Sequence, residues 1–151
     1  MAGVEEVTTS FGSVFLRFNR LLDKRMAREG ASLARTRVLL MLEKRGAVKA
    51  SDIAELFSLA PRTVTETLDG MERNGLIRRE PDPKDRRAKR IVITEAGQQA
   101  VAATEPIRRE LIGQVMGTLT TQERESLASI LGKLEAAVLS AEEEENPPAE
   151  G

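Results

Sequence analysis

Residues 61–97 read PRTVTETLDGMERNGLIRREPDPKDRRAKRIVITEAG, and this stretch decides the fold. Pro61 suits the first position of a helix, where its missing N–H costs nothing. Val64, Leu68 and Met71 recur at i, i+4 and i+7, the apolar stripe of a helix over 61–74. Asn74-Gly75 is a stop signal: a left-handed glycine satisfies the last carbonyls and lets Leu76 fold back. Two short strand-like runs follow, 77–80 and 89–93, the second with Ile91 and Ile93 on one face. Pro81 and Pro83 cannot donate to a ladder, so the segment between the strands is a projecting loop. It is a basic one, with seven Lys/Arg against three Asp/Glu from 77 to 90.

The preceding residues supply a second helix. Ser51 is the expected N-cap of a helix over 52–57, with Ile53, Leu56 and Phe57 turned inward. Ser58-Leu59-Ala60 is then a short inter-helix turn. Two helices, a tight turn and a basic hairpin make a winged helix-turn-helix, a unit that grips duplex DNA. In that geometry the second helix enters the major groove by its N-terminal end. Arg62, Thr63, Thr65 and Glu66 lie outside the Val64/Leu68 stripe and are the expected base-reading residues, while Arg86, Arg87 and Arg90 arm the wing.

The run 85–94, DRRAKRIVIT, resembles the wing signature of the MarR (multiple antibiotic resistance regulator) family, D-x-R-x-x-x-[IV]-x-[LI]-T. Thr63-Val64-Thr65 and Asn74-Gly75-Leu76-Ile77 are similar to its recognition helix and exit, and the likeness extends over about residues 8–140. The resemblance implies a homodimer on a pseudo-palindromic double-stranded DNA operator, most simply a repressor, often released by a small ligand. It also implies that Arg87 enters the minor groove and that Asp85 braces its guanidinium. Glu66 departs from the family, many of whose members carry a basic residue there; a carboxylate accepts from cytosine N4 and repels phosphate. Ala60, where Ser or Thr is common, gives the helix no side-chain cap.

Composition narrows the alternatives. With no Cys, His or Tyr, the chain lacks disulfides, thiolate switches, the commonest general base and the commonest metal ligand. No spacing of its Asp, Glu and Lys suggests catalysis, so the chain reads as a non-enzyme with no cofactor or metal. The overall charge of −1 argues against a nucleic-acid binder, but its distribution answers that objection. Residues 44–90 hold twelve Lys/Arg and eight Asp/Glu, while the remainder holds eleven and sixteen. Because charge is screened beyond about 10 Å, the local excess is what phosphate meets. No apolar run is long enough to span a bilayer and the start is not signal-like, so the expected location is cytoplasmic, without membrane association.

The fold class is therefore mainly α with a small β-hairpin wing. Residues 31–94 form the winged unit, and 8–30 with 95–140 form helical dimerisation elements. Residues 1–6 are expected to fray, and 141–151 read as a disordered acidic tail. Phe11, Val14, Phe15, Phe18, Leu21 and Leu22 make one stripe of the first helix. Core or dimer packing is its plainer use; the sharper one has Phe15 and Phe18 lining a small-molecule pocket. By the resemblance its ligand is an aromatic acid or thioester, with Arg17, Arg25, Arg35 or Arg37 near enough to meet a carboxylate. Leu127, Ile130, Leu131, Leu134 and Val138 form a second stripe, on the last helix, that calls for a symmetric partner. A competing reading makes the fold a protein-interaction module without DNA binding, for which Glu66, Asp69 and Glu72 on the reading helix give footing.

Overall fold

The computed structural model describes residues 1–147. Six helices and three short strands follow in the order α1 (Val4–Arg28), α2 (Leu33–Arg45), β1 (Val48–Lys49), α3 (Ala50–Leu56), α4 (Pro61–Arg73), β2 (Ile77–Pro81), β3 (Lys89–Ile93), α5 (Glu95–Met116) and α6 (Thr121–Glu145). The chain divides into two compact units, Met1–Arg109 and the remainder from Glu110.

Within the first unit, β1, β3 and β2 form an antiparallel sheet in that spatial order. Val48 lies opposite Ile91, and Ile77 opposite Ile93, so Ile77 and Ile91 turn to the core while polar neighbours turn out. That core joins Val38, Leu39 and Leu42 of α2, Ile53 of α3, and Val64, Leu68 and Met71 of α4. The α4 stripe is thus what seats the helix: each of its three residues is at most 2% exposed. Its exit follows the glycine-stop geometry. Gly75 has φ +74, its N–H bonds to the Glu72 carbonyl and Leu76 N–H reaches the Met71 carbonyl.

The start of α5 then closes against that exit. Thr94 Oγ1 donates to the Gly75 carbonyl at 2.5 Å and accepts the Gly97 N–H at 3.1 Å. Gly97 is there for want of space: a Cβ would meet the Leu76 carbonyl and lie 2.7 Å from Ile93 Cγ1. Ser32 caps α2 by accepting from Arg35 N–H, at the place where a helix start calls for such a residue.

Several local expectations are corrected. α1 starts at Val4, not after a frayed stretch reaching Glu6; Glu5 and Glu6 lie in its first turn, where the helix dipole favours them. α3 begins at Ala50, and Ser51 is not its cap. Asp52 accepts the Lys49 N–H at 3.0 Å instead, which draws the helix start back past Ser51. Leu56 is 46% exposed, so α3 is held inward by Ile53 with partly buried Ala50, Ala54 and Phe57. The tail beginning at residue 141 is helical as far as Glu145: Ala and Glu are strong helix formers, and nothing breaks the chain before Pro147. The rest of that tail, 148–151, lies outside the described residues.

In the second unit α6 opens with a capping box, Thr120 Oγ1 accepting from Glu123 N–H and Glu123 accepting from Thr120 N–H. None of its residues is buried, and Ile130, Leu134, Val138 and Leu139 are each about half exposed.

Candidate nucleic-acid interface

α3 hands over to α4 through Ser58, whose φ of +51 makes the sharp corner, with Leu59 N–H bonded to the Ala54 carbonyl. Because Val64 and Leu68 face the core, Arg62, Thr63, Thr65 and Glu66 all stand exposed on the first two turns of α4. Arg62 and Glu66 are not independent. Arg62 Nε donates to Glu66 Oε1 at 3.2 Å, with side chains 90% and 67% exposed. Thr65 Oγ1 donates back to the Pro61 carbonyl at 3.0 Å, which occupies its hydroxyl proton.

The wing is a built loop. Asp82 N–H closes onto the Ala88 carbonyl, and Asp82 Oδ1 accepts Lys84 N–H at 2.8 Å. The buried Asp82 carboxylate also lies 3.9 Å from Lys49 Nζ on β1, which ties the wing's base to the neighbouring strand. The Lys84 N–H bond holds the Asp82 carboxyl below its ordinary range, and it prevails over the desolvation that would raise it. Asp85 N–H and the charges of Lys49 and Arg90 act in the same direction as Lys84.

Arg86 and Arg87 are exposed at the tip, and among the described residues neither makes an ion pair. Asp85 braces the turn, but through the main chain: its Oδ1 accepts Arg87 N–H at 3.0 Å, not the guanidinium. A short loop carboxylate is satisfied most easily by the amide two residues on. Arg90 differs from the expectation too. It sits on β3 opposite Lys49 and Glu80, half-buried, with Nε shielded from solvent, so it belongs to the wing's base and not to its tip.

One arginine that sequence reasoning passes over ties helix to hairpin. Arg79 on β2 bonds Asp69 Oδ1 at 2.7 Å and Glu72 Oε1 at 3.0 Å, while its N–H reaches Glu72 Oε2 at 3.1 Å. Its side chain is only 20% exposed. Asp69 and Glu72 thus brace the reading helix against the wing, which gives two of the three acids behind a protein-interaction reading a structural use. Their spacing, i and i+3 on the helix with an arginine two residues into the next strand, is the available signal.

The expected pocket residues fall elsewhere than the cavity. Phe15 and Arg17 are exposed, and Phe18 and Arg37 half-buried; Arg17 bonds Ser13 and Arg37 bonds Asn19. None of the four lines the cavity of ≈ 690 Å³ that opens among the α1–α2 turn, the end of α4 and α5. Its walls include Ser32, Arg35, Thr36, Asn74, Thr104 and Ile107. Arg35 spans it, with Nη1 bonded to Asn74 Oδ1 at 2.9 Å, and its guanidinium lies against Gly70, where a Cβ would come within 2.7 Å of Nη2.

Comparison with known proteins agrees with this architecture. The MarR family model matches residues 32–89, the winged unit itself. The chain is 30% identical over 129 residues to the uncharacterized HTH-type transcriptional regulator YxaD of Bacillus subtilis, covering 84% of this chain and 90% of that one. The chain belongs to the MarR family. It is also 28% identical over 141 residues to the HTH-type transcriptional repressor MdtR of the same organism, covering 93% and 91% of the two chains. A MarR-family regulator from Silicibacter pomeroyi shares the fold at a TM-score of 0.77 and 27% identity, over 91% of this chain and 93% of that one. The fold recurs at 20% identity in a mutant MarR from E. coli complexed with operator DNA (TM-score 0.74, 85% and 92% covered). It recurs at 21% identity in BpsR of Bordetella bronchiseptica, whose DNA binding is regulated by 6-hydroxynicotinic acid (TM-score 0.74, 87% and 94% covered). Among the described residues no helix is long and apolar enough to cross a membrane.

Proposed function

We infer that this MarR-family regulator is a repressor that binds a pseudo-palindromic operator as a homodimer and releases it when a small aromatic acid enters the cavity at Arg35. The observation that carries the DNA reading is the pairing pattern. Every acidic residue on the second half of α4 and at the wing's base is engaged by a partner, while Arg86 and Arg87 at the wing's tip have none among the described residues. Cations left free on a braced loop beside an exposed helix start suit a phosphate backbone and its minor groove. The operator complex of the E. coli protein supports the same use of the fold.

The uncovered apolar faces of α1 and α6 support the homodimer. Phe11, Phe15, Ile130 and Val138 are each more than half exposed in the single chain. Rows of exposed apolar side chains of this kind mark surfaces suited to association. Arg35 supports an anionic ligand, because a guanidinium can exchange its amide partner for a carboxylate and gain a stronger bond. Asn74 is the C-cap of α4, so a ligand that takes Arg35 from it acts directly on the end of the reading helix. Repression is supported by the likeness to MdtR, and an aromatic acid by BpsR.

Fluorescence anisotropy on DNA from upstream of the protein's own gene tests the proposal, with and without a panel of aromatic acids. The expected result is tight binding that weakens about 5- to 150-fold with an effective acid, and a much smaller response in Arg35→Met. Equal affinity for that DNA and for random duplex would overturn the operator reading; a full response retained in Arg35→Met would overturn the assignment of the cavity.

A further inference from the structure

We propose that Arg62 and Glu66 form one base-reading unit, in which Glu66 holds the Arg62 guanidinium by its Nε and the remaining N–H pairs read guanine. The inference rests on the reading of α4 as a DNA-contacting helix. Glu66 by itself is out of place at such a surface, since a lone carboxylate is repelled by phosphates on either side of the groove. Paired with Arg62 it brings no net charge. The Nε to Oε1 distance of 3.2 Å places the carboxylate along the inner edge of the guanidinium. The donors on the two terminal nitrogens stay outward, in the fork that matches guanine O6 and N7.

The sequence interval makes the pairing a property of the helix. Residues 62 and 66 are one turn apart, so their side chains meet on the outer face while Val64 and Leu68 stay in the core. In solvent such an exposed pair adds little stability. Its use is orientation: an arginine with many rotamers is restrained before it enters the groove, which lowers the ordering cost of a bidentate contact. Glu66 is then a positioning residue and makes no base contact of its own. In this arrangement one of its two oxygens, Oε1, is given to Arg62 Nε, and its contribution is to hold the guanidinium. Thr65, with its hydroxyl proton given to the Pro61 carbonyl, does not compete for the guanine.

Selection of bound sequences from random DNA, run on the full chain with the wild type, Arg62→Lys, Glu66→Gln and Glu66→Asp, tests the unit. Both positions are exposed in the wild type, and matching thermal unfolding curves establish that the variants are folded. The wild type is expected to enrich a guanine in each half-site. Arg62→Lys, whose ammonium is a point charge without the planar fork that Glu66 can hold by one edge, should weaken that guanine preference by at least about 5-fold while the rest of the motif persists. Glu66→Gln and the shorter Glu66→Asp should weaken the same column and no other. Their log K against log salt slope should steepen by up to about 0.9, because a released Arg62 becomes available to a phosphate. An unchanged motif and slope in Glu66→Gln would overturn the proposal, as would a shift at a column that Arg62→Lys leaves untouched. Failure of the wild type to enrich any motif would instead contradict sequence-specific binding itself, and the unit with it.

Discussion

The winged unit and the last helix both carry regular stripes of leucine, isoleucine and valine, yet they treat those residues in opposite ways. In the winged unit Leu39, Leu42, Ile53, Leu68, Ile77 and Ile91 are each at most 2% exposed. In α6, Ile130, Leu131, Leu134, Val138 and Leu139 are between 39% and 57% exposed, although they recur with the same helical regularity. One set of apolar stripes finds its cover within about sixty residues of chain, across helices and a hairpin. The other lies on a helix that offers its stripe outward. A stripe in sequence therefore states that a surface must be covered, and only the three-dimensional neighbourhood states by whom. On the proposed homodimer the division is functional, since each reading head holds its shape alone and the outward stripe is left to join two of them.

The strongest way to break this contrast is to charge the outward stripe. Ile130→Glu with Leu134→Glu should leave the winged unit folded and abolish self-association. Burying each such side chain contributes about 1.5–3 kcal/mol, so the two changes raise the dimer dissociation constant more than about 100-fold. Sedimentation equilibrium reads this directly, and a dimer that survives both changes would mean another surface joins the copies. A core truncation should behave in the reverse way. Leu68→Ala is expected to cost about 2–5 kcal/mol of stability at every protein concentration, whereas Leu134→Ala should lower the midpoint by weakening the dimer, so that its cost varies with protein concentration. Denaturant unfolding at several protein concentrations separates the two.

Gly97→Ala sharpens the contrast at a junction. Its added methyl runs into the Leu76 carbonyl, a backbone atom that cannot swing aside, and an overpacking loss of about 1–3 kcal/mol is expected in thermal unfolding. Arg87→Ala, at the exposed wing tip, should leave stability unchanged and flatten the salt dependence of operator binding by up to about 0.9 in slope. The smallest effect concerns pH. Asp82 has its folded pKa depressed, so its contribution is fully present above the unfolded value of about 3.9 and is lost only as pH falls through the lower folded value. Wing integrity, followed by amide hydrogen exchange of Lys84 and Ala88, should be constant from about pH 5 upward. Asp82→Asn should loosen those amides at every pH.

Much of the winged unit is legible in the residues themselves, and the reasons are local. The α4 stripe, the Asn74-Gly75 stop and the twin strands are governed by residues within one or two turns of each other. The misses share a cause as well. Ser51 is an adequate cap in isolation, but Asp52 reaches the Lys49 N–H and takes the position. Asp69 and Glu72 read as acidity unsuited to DNA unless Arg79 of β2 is known to lie between them. Arg90 resembles one more wing cation, although strand pairing fixes it beside Lys49 at the base. The phenylalanines of α1 suggest a pocket because an apolar stripe does not say whether it lines a cavity or meets another chain. The cavity's own walls combine Ser32, Thr36, Asn74 and Thr104, polar residues from distant segments with no shared period. Among the wall residues only Arg35 is brought into view as a ligand contact, as one of four nearby arginines.

The self-contained reading head is expected to work in pairs across a two-fold axis. Hydroxyl-radical footprinting on the upstream DNA of the protein's own gene, at protein concentrations where sedimentation shows one assembly state, tests it most directly. The expected footprint is symmetric, with two protected half-sites about 10 bp apart centre to centre and minor-groove protection where each Arg87 enters. A single isolated half-site, protected by a monomer at full affinity, would contradict it.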